Sequence, residues 1–237
     1  MIDAPHSTPA IPSPYCAFRR HLQAAALAAV ALLTLAVAPA QAQPVRILAF
    51  GDSLTAGAGV AAEDSLPAQL KRRLSEDAFD VEVVQGGVSG DTTTTGLARL
   101  DYTLGAGPFD IAVIELGAND MLNAHDPKLT RANLDQILTT LKQKGVRPVL
   151  SAMVSSANHG QAYKRDFDSI YPDLAAKHQV PLVPFILEGV WGSPALLIAD
   201  GVHPNAAGVA KIVKKLAPYV EKTLVSMGAS KTTSRAQ

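Results

Sequence analysis

Residues 45–55 read VRILAFGDSLT, an apolar run that ends at a glycine, an aspartate and a serine. A short continuous apolar run bounded by a turn residue is typical of a strand buried on both faces. The pattern recurs where 81–84 leads into the glycine-rich segment 86–91, and where 111–116 leads into GAND at 117–120. Residues suited to chemistry therefore follow directly on three predicted strands.

Strand-like and helix-like segments alternate along the rest of the chain, and the helix at 67–76 has Asp64 or Ser65 as its expected cap. The patterns predict strands at 45–50, 81–84, 111–116, 148–153 and 180–185, and helices at 67–76, 91–100, 130–144, 163–178 and 205–225. The proline at 172 is expected to make the fourth helix irregular. This alternation predicts an α/β domain with a parallel sheet and helices on both faces. The clusters after the first three strands should share one edge, where such sheets bind ligands.

The composition limits the classes of function. The chain has 237 residues, of which 48% are hydrophobic, and this suits one domain with a sizeable core, with or without a removable leader. A formal net charge of zero gives no indication of nucleic-acid binding or of attraction to an anionic membrane. Aromatic residues make up only 5%, which argues against surfaces that stack on bases or sugars.

The first 42 residues resemble a secretory signal peptide. Arg19 and Arg20 precede an apolar run at 22–37, and the small-residue pattern AQA follows at 40–42. The run is shorter than the roughly 20 residues of a membrane span. We therefore expect residues 1–42 to be a signal peptide, 43–228 the mature domain and 229–237 a disordered tail. The alternative is an uncleaved anchor; cleavage would leave a periplasmic or secreted protein without a stable membrane span.

Cys16 is the only cysteine of the chain, and it precedes the apolar run of the leader. It would be removed with the leader, so the mature domain would contain neither a thiol nor a disulfide. This excludes a cysteine nucleophile and a cysteine-based metal site from the mature domain.

Ser53 is the candidate nucleophile, because it lies just beyond the first predicted strand. A serine hydroxyl needs a base to accept its proton, and an imidazole titrates near neutral pH. His203 is the best candidate base, and Asp200, three residues earlier, can orient its ring as in a Ser-His-Asp triad. A solvated loop is the alternative interpretation of an isolated D-x-x-H pattern.

Acyl transfer also requires donors for the oxyanion of the tetrahedral intermediate. The candidates are the backbone N–H groups of Ser53 and Gly90 and the side-chain amide of Asn119. Glycine at position 90 would permit a close approach of the backbone that a side chain blocks. The alternative is that Gly90 and Asn119 are ordinary turn residues.

Four blocks in this order resemble the SGNH hydrolase family, also known as GDSL esterases and lipases. They are GDSL at 51–54, SGD at 89–91, GAND at 117–120 and DGVH at 200–203. The resemblance implies a flavodoxin-like three-layer α/β/α sandwich with a parallel five-stranded sheet, and a serine esterase that needs neither cofactor nor metal. The chain is most similar to the bacterial periplasmic thioesterase, lysophospholipase and arylesterase subgroup. Its expected partner is therefore a small-molecule ester or lipid, not nucleic acid.

Two other functions remain open on the sequence alone. One is a glycan O-deacetylase of the same family, and the other is a non-catalytic binding module that keeps the fold. Acyl-chain preference would depend on loops near 121–128, 158–167 and 187–197. A set of apolar residues in and next to the loop near 187–197 can line an acyl groove or belong to the core: Ile186, Leu187, Val190, Trp191, Leu196 and Leu197.

Overall fold

A computed structural model describes residues 43–229 and residue 231. The predicted signal peptide, and residues 230 and 232–237 of the predicted tail, lie outside the described residues. Five parallel strands form one sheet in the order β2-β1-β3-β4-β5, so the predicted parallel sheet is confirmed. The strands are β1 (Val45–Gly51), β2 (Val81–Gly87), β3 (Ile111–Glu115), β4 (Arg147–Ser151) and β5 (Leu182–Val183).

Eight α-helices connect or follow these strands within the described residues. They are α1 (Ser53–Ala56), α2 (Leu66–Glu76), α3 (Thr93–Leu104), α4 (Ala118–Leu122), α5 (Pro127–Gln143), α6 (Gln161–Asp168), α7 (Ile170–His178) and α8 (Ala206–Ser226). Helix α2 packs against α8, whereas α3 and α7 pack against α5. The chain moves outward from β1 to β2 and then reverses to β3. Since crossovers between parallel strands are right-handed as a rule, such a reversal places helices on both faces of the sheet.

The reversal between β1 and β3 positions the candidate site. Both strands are buried on both faces, and Ile47, Phe50 and Ile114 have no exposed surface. In the parallel register Gly51 pairs with Gly87 on one side and with Glu115 on the other. The three strands therefore end side by side, at the type of crevice where open α/β sheets bind their ligands.

Several predicted boundaries differ from the structure for local reasons. Helix α3 begins two residues later than predicted, because Thr92 forms a reciprocal capping box with Thr95. Helix α5 begins earlier, at Pro127, because Asp126 caps it and proline is favoured in a first turn. The predicted irregularity around Pro172 is confirmed. The helix is interrupted at Ser169, and Pro172 lies in the first turn of α7, where its missing N–H costs little.

The fifth strand is shorter than the predicted range 180–185. Only Leu182 and Val183 pair with β4, because the flanking residues Pro181 and Pro184 have no N–H to donate. None of the helices in the described part of the chain combines the length and apolar character that crossing a membrane requires.

Candidate active site

Ser53 is the first residue of α1, directly after the end of β1. Asp52 caps this helix, and its Oδ1 accepts the N–H of Leu54 at 3.0 Å. A Cβ atom on Gly51 would collide with the Thr55 hydroxyl and with the carbonyl of Glu115, so the close packing of β1 and β3 requires glycine here. The turn presents Ser53 at the helix N-terminus, where its own N–H has no partner within the helix.

The loop before α8 brings His203 to Ser53. The Nε2 atom of His203 lies 2.9 Å from Ser53 Oγ, and Nδ1 lies 2.6 Å from Asp200 Oδ2. Because a carboxylate can only accept hydrogen bonds, Nδ1 carries the proton in the neutral ring and Nε2 is free to accept. An imidazole in this tautomer can take the proton of the Ser53 hydroxyl.

Asp200 is held in its orientation by the backbone of its own loop. Its Oδ1 accepts the N–H groups of Val202 and His203 at 2.8 Å and 3.0 Å. The hydrogen bond to the His203 ring and these two backbone bonds lower the pKa of Asp200 to about 2. The carboxylate is therefore ionised at neutral pH and can stabilise a protonated imidazole.

The second and third predicted clusters meet beside Ser53. Asn119 Nδ2 donates to the carbonyl of Asp91 at 2.8 Å and to Asp52 Oδ2 at 3.3 Å. Gly90, the residue before Asp91, has φ = 86°, in the left-handed region that favours glycine. The space around a Cβ atom at position 90 is open, so the backbone angle rather than crowding within the protein accounts for this glycine.

Two supporting residues were not predicted as such from the sequence. Arg99 of α3 donates to the Gly51 carbonyl at 3.1 Å and to Asp91 Oδ2 at 2.5 Å, and so joins the first two blocks. Asp120 is fully buried and accepts the N–H and hydroxyl of Thr93 at 2.7 Å and 2.5 Å. Nothing in the sequence indicated that Asp120 joins α4 to α3.

A cavity of about 240 Å³ opens beside Ser53, Asn119 and His203. Its walls are largely apolar and include Leu54, Met121, Leu122, Met153, Val154, Phe185, Leu187, Trp191 and Val202. A space of this shape and chemistry suits an aliphatic or aromatic group next to a reacting carbonyl.

The cavity corrects one expectation about its walls and decides where the apolar set at 186–197 lies. Residues 153–156 form one wall of the cavity, whereas the loop 158–167, which was predicted to influence acyl-chain preference, contributes no lining residue. Of the apolar set, Leu187 and the half-exposed Trp191 line the cavity. The other four residues belong to the hydrophobic core or pack against it: Ile186, Val190, Leu196 and Leu197. Away from the cavity, His178 is buried and its Nε2 lies 2.6 Å from Asp135 Oδ1, because α7 packs against α5.

Comparison with known proteins identifies the family of this chain. The model of the GDSL-like Lipase/Acylhydrolase family matches residues 49–211, which include all four predicted blocks. An arylesterase of Vibrio mimicus is 39% identical over 76% of this chain and 90% of its own length. The thioesterase 1/protease 1/lysophospholipase L1 of Escherichia coli K12 is 38% identical over 67% of this chain and 75% of its own.

Among solved structures, the SGNH-hydrolase family esterase AlinE4 is 41% identical, with a TM-score of 0.66. The similarity covers 78% of this chain and 99% of that one. The family and fold expected from the four sequence blocks are therefore confirmed.

Proposed function

Given that the chain belongs to the GDSL-like lipase/acylhydrolase family and is a carboxylic ester hydrolase, we propose that it works through an acyl-enzyme on Ser53. The observation that carries the proposal is the unbroken relay from Ser53 Oγ to His203 to Asp200, at 2.9 Å and 2.6 Å, beside an apolar cavity. Neither contact alone suffices, because nucleophilic catalysis needs both an activated hydroxyl and an oriented base.

In the first half-reaction Ser53 Oγ attacks the acyl carbonyl carbon while His203 Nε2 takes the hydroxyl proton. The carbonyl electron pair moves to oxygen, and Asp200 stabilises the imidazolium that forms. The bond from carbon to the alcohol or thiol then breaks, and the leaving group receives the proton from His203. The acyl group remains as an ester of Ser53.

In the second half-reaction a water molecule takes the place of the leaving group. His203 accepts a proton from this water as it attacks the acyl-enzyme, and then returns it to Ser53 Oγ when the carboxylic acid departs. The cycle regenerates both residues and requires only the groups named here.

The oxyanion formed in each half-reaction needs donors that point to one place. We assign this role to the N–H groups of Ser53 and Gly90 and to Asn119 Nδ2. The longer contact of the Asn119 amide, 3.3 Å to Asp52, is the one that an incoming oxyanion can share or replace. The shorter contact to the Asp91 carbonyl keeps the amide in place.

The substrate class follows from the cavity. Its apolar walls favour esters and thioesters of aliphatic or aromatic acyl groups, such as aryl esters, acyl thioesters and lysophospholipids. The names of the arylesterase and thioesterase relatives cover the same range. An acetylated glycan would present a polar sugar ring to these apolar walls, which disfavours the glycan O-deacetylase. Parallel assays on an acetylated glycan and on medium-chain thioesters distinguish the deacetylase from the esterase or thioesterase.

We also propose that the protein acts outside the cytoplasm, because residues 1–42 carry the basic, apolar and AQA pattern of a leader. Amino-terminal sequencing of protein from a periplasmic fraction should begin at Gln43. A chain that retains residues 1–42 in the membrane fraction would contradict this assignment.

The Ser53→Ala variant tests the mechanism directly. Loss of a nucleophile that works as a unit with its base lowers turnover by several orders of magnitude in a serine hydrolase. We therefore expect almost complete loss of p-nitrophenyl butyrate hydrolysis, and labelling by a fluorophosphonate probe in the wild type but not in the variant. A variant that hydrolyses the ester at nearly the wild-type rate would refute the mechanism, and an unlabelled wild type would favour a binding module.

A further inference from the structure

Glu115, the last residue of β3, carries the one ionisable side chain of this otherwise apolar strand, and it is fully buried. Its Oε2 accepts a hydrogen bond from the Thr55 hydroxyl at 2.8 Å. Its Oε1 is also buried, and no donor among the described residues faces it. An unpaired buried oxygen is costly, so this arrangement calls for an explanation.

The ionisable neighbour that explains it is Asp52, which is 1% exposed. In sequence Asp52 lies between Gly51 and Thr55, the two residues that Glu115 Oε2 approaches. Two neighbouring carboxyl groups that are both buried share one proton, because they cannot both ionise. Asp52 already accepts N–H groups from Leu54 and Asn119. The shared proton therefore belongs on Glu115, where it turns a carboxyl without a partner into a donor to Asp52.

The order of proton affinities agrees with this placement. Burial raises the pKa of Asp52 to about 6. Complete burial, followed by the charge of Asp52, raises the pKa of Glu115 well above its usual range. At neutral pH the pair therefore consists of a neutral Glu115 and an ionised Asp52.

Resting on the function proposed above, we propose that Glu115 is a positioning residue for ester hydrolysis. As a neutral acid it donates a hydrogen bond to Asp52, and it acts on the reaction through the contact between Asp52 and the amide of Asn119. Glu115 does not line the cavity, so it has no route to the substrate except through these neighbours. Its loss should therefore lower kcat and leave KM almost unchanged.

Two substitutions at Glu115 distinguish hydrogen-bond donation to Asp52 from a role in packing alone. Glu115→Gln can still accept from Thr55 and donate to Asp52, so kcat should stay within about threefold of the wild type. Glu115→Met fills a similar volume but cannot donate, and we expect kcat to fall about 10- to 100-fold with KM within about twofold. The matched control is Thr55→Val, which removes the other hydrogen bond of Glu115 and should lower kcat much less.

A double-mutant cycle with Asn119→Ala tests the route of the effect. If Glu115 acts through the Asn119 amide, Glu115→Met should cost less than about threefold in the Asn119→Ala background. Losses that multiply in the double variant would overturn the proposal, as would a Gln variant as slow as the Met variant. A wild type labelled by fluorophosphonate with an unimpaired Glu115→Met variant would refute this role alone and leave the Ser53 mechanism intact.

Thermal unfolding gives a readout that does not depend on activity. Above pH 4.5 the unfolded chain releases the Glu115 proton while the folded protein keeps it, so this group lowers stability as pH rises. Glu115→Gln removes that dependence, and its Tm advantage over the wild type should grow from about pH 5 to pH 8. The other groups that face the pair are common to both proteins: Asp52, Asp91, Tyr171 and His203. A Tm difference that stays constant over this range would contradict a neutral Glu115.

Discussion

Replacing Asp200 by asparagine separates two roles of this carboxylate in the loop before α8. One oxygen accepts the N–H groups of Val202 and His203, and the other faces His203 Nδ1 at 2.6 Å. An asparagine keeps one oxygen, which is enough for the two backbone hydrogen bonds, so the loop should keep its shape. Its NH₂ group would then face Nδ1 and can only donate.

The consequence is a change of tautomer at His203. Nδ1 must present a lone pair, so the proton moves to Nε2, which then donates to Ser53 instead of accepting from it. The corresponding change in a serine protease lowers kcat by about 10⁴. Because the Asp200 side chain is 41% exposed and water can hydrate the imidazolium, we expect a smaller loss, about 10²- to 10³-fold.

Steady-state hydrolysis of p-nitrophenyl butyrate measures the loss, and thermal melting measures the loop. We expect Asp200→Asn to lower kcat as stated and to shift Tm by less than about 4 °C. The control Asp200→Ala also removes the backbone hydrogen bonds and should lower Tm further. An asparagine variant that keeps kcat within about threefold of the wild type would show that the tautomer of His203 does not depend on Asp200.

The cavity and its walls yield two further predictions. Trp191 is half exposed and lines the cavity, so Trp191→Ala should lower kcat/KM for medium-chain esters about fivefold and leave kcat/KM for acetate esters unchanged. Equal losses on both substrates would remove Trp191 from the acyl site. Asp168 accepts the N–H of Ser155 at 2.7 Å, and Lys164 donates to the Ser155 carbonyl at 2.7 Å, which fixes the wall at 153–156. Asp168→Ala should therefore change the ratio of medium-chain to acetate activity more than about threefold, whereas the exposed control Asp166→Ala should leave that ratio unchanged. Identical ratios in the two variants would show that Asp168 does not hold the wall at 153–156.

The strands could be predicted from the sequence because burial on both faces leaves a continuous apolar run. All five predicted strands are present, and the errors lie at the ends of the elements. Flanking prolines shorten β5, and capping by Thr92 decides where helix α3 begins. Such details depend on single hydrogen bonds, which an apolar pattern does not encode.

The sequence by itself determined the fold class and the residue types of the site, because strand periodicity and turn chemistry are local properties of the chain. Only the tertiary structure decided that His203 reaches Ser53 across 150 positions of sequence. It also decided that Glu115 is buried against Thr55 of helix α1, and that Trp191, but not its neighbour Val190, lines the cavity. Contacts of this kind arise when distant segments pack together and exclude water, and no local pattern specifies which side chains then meet.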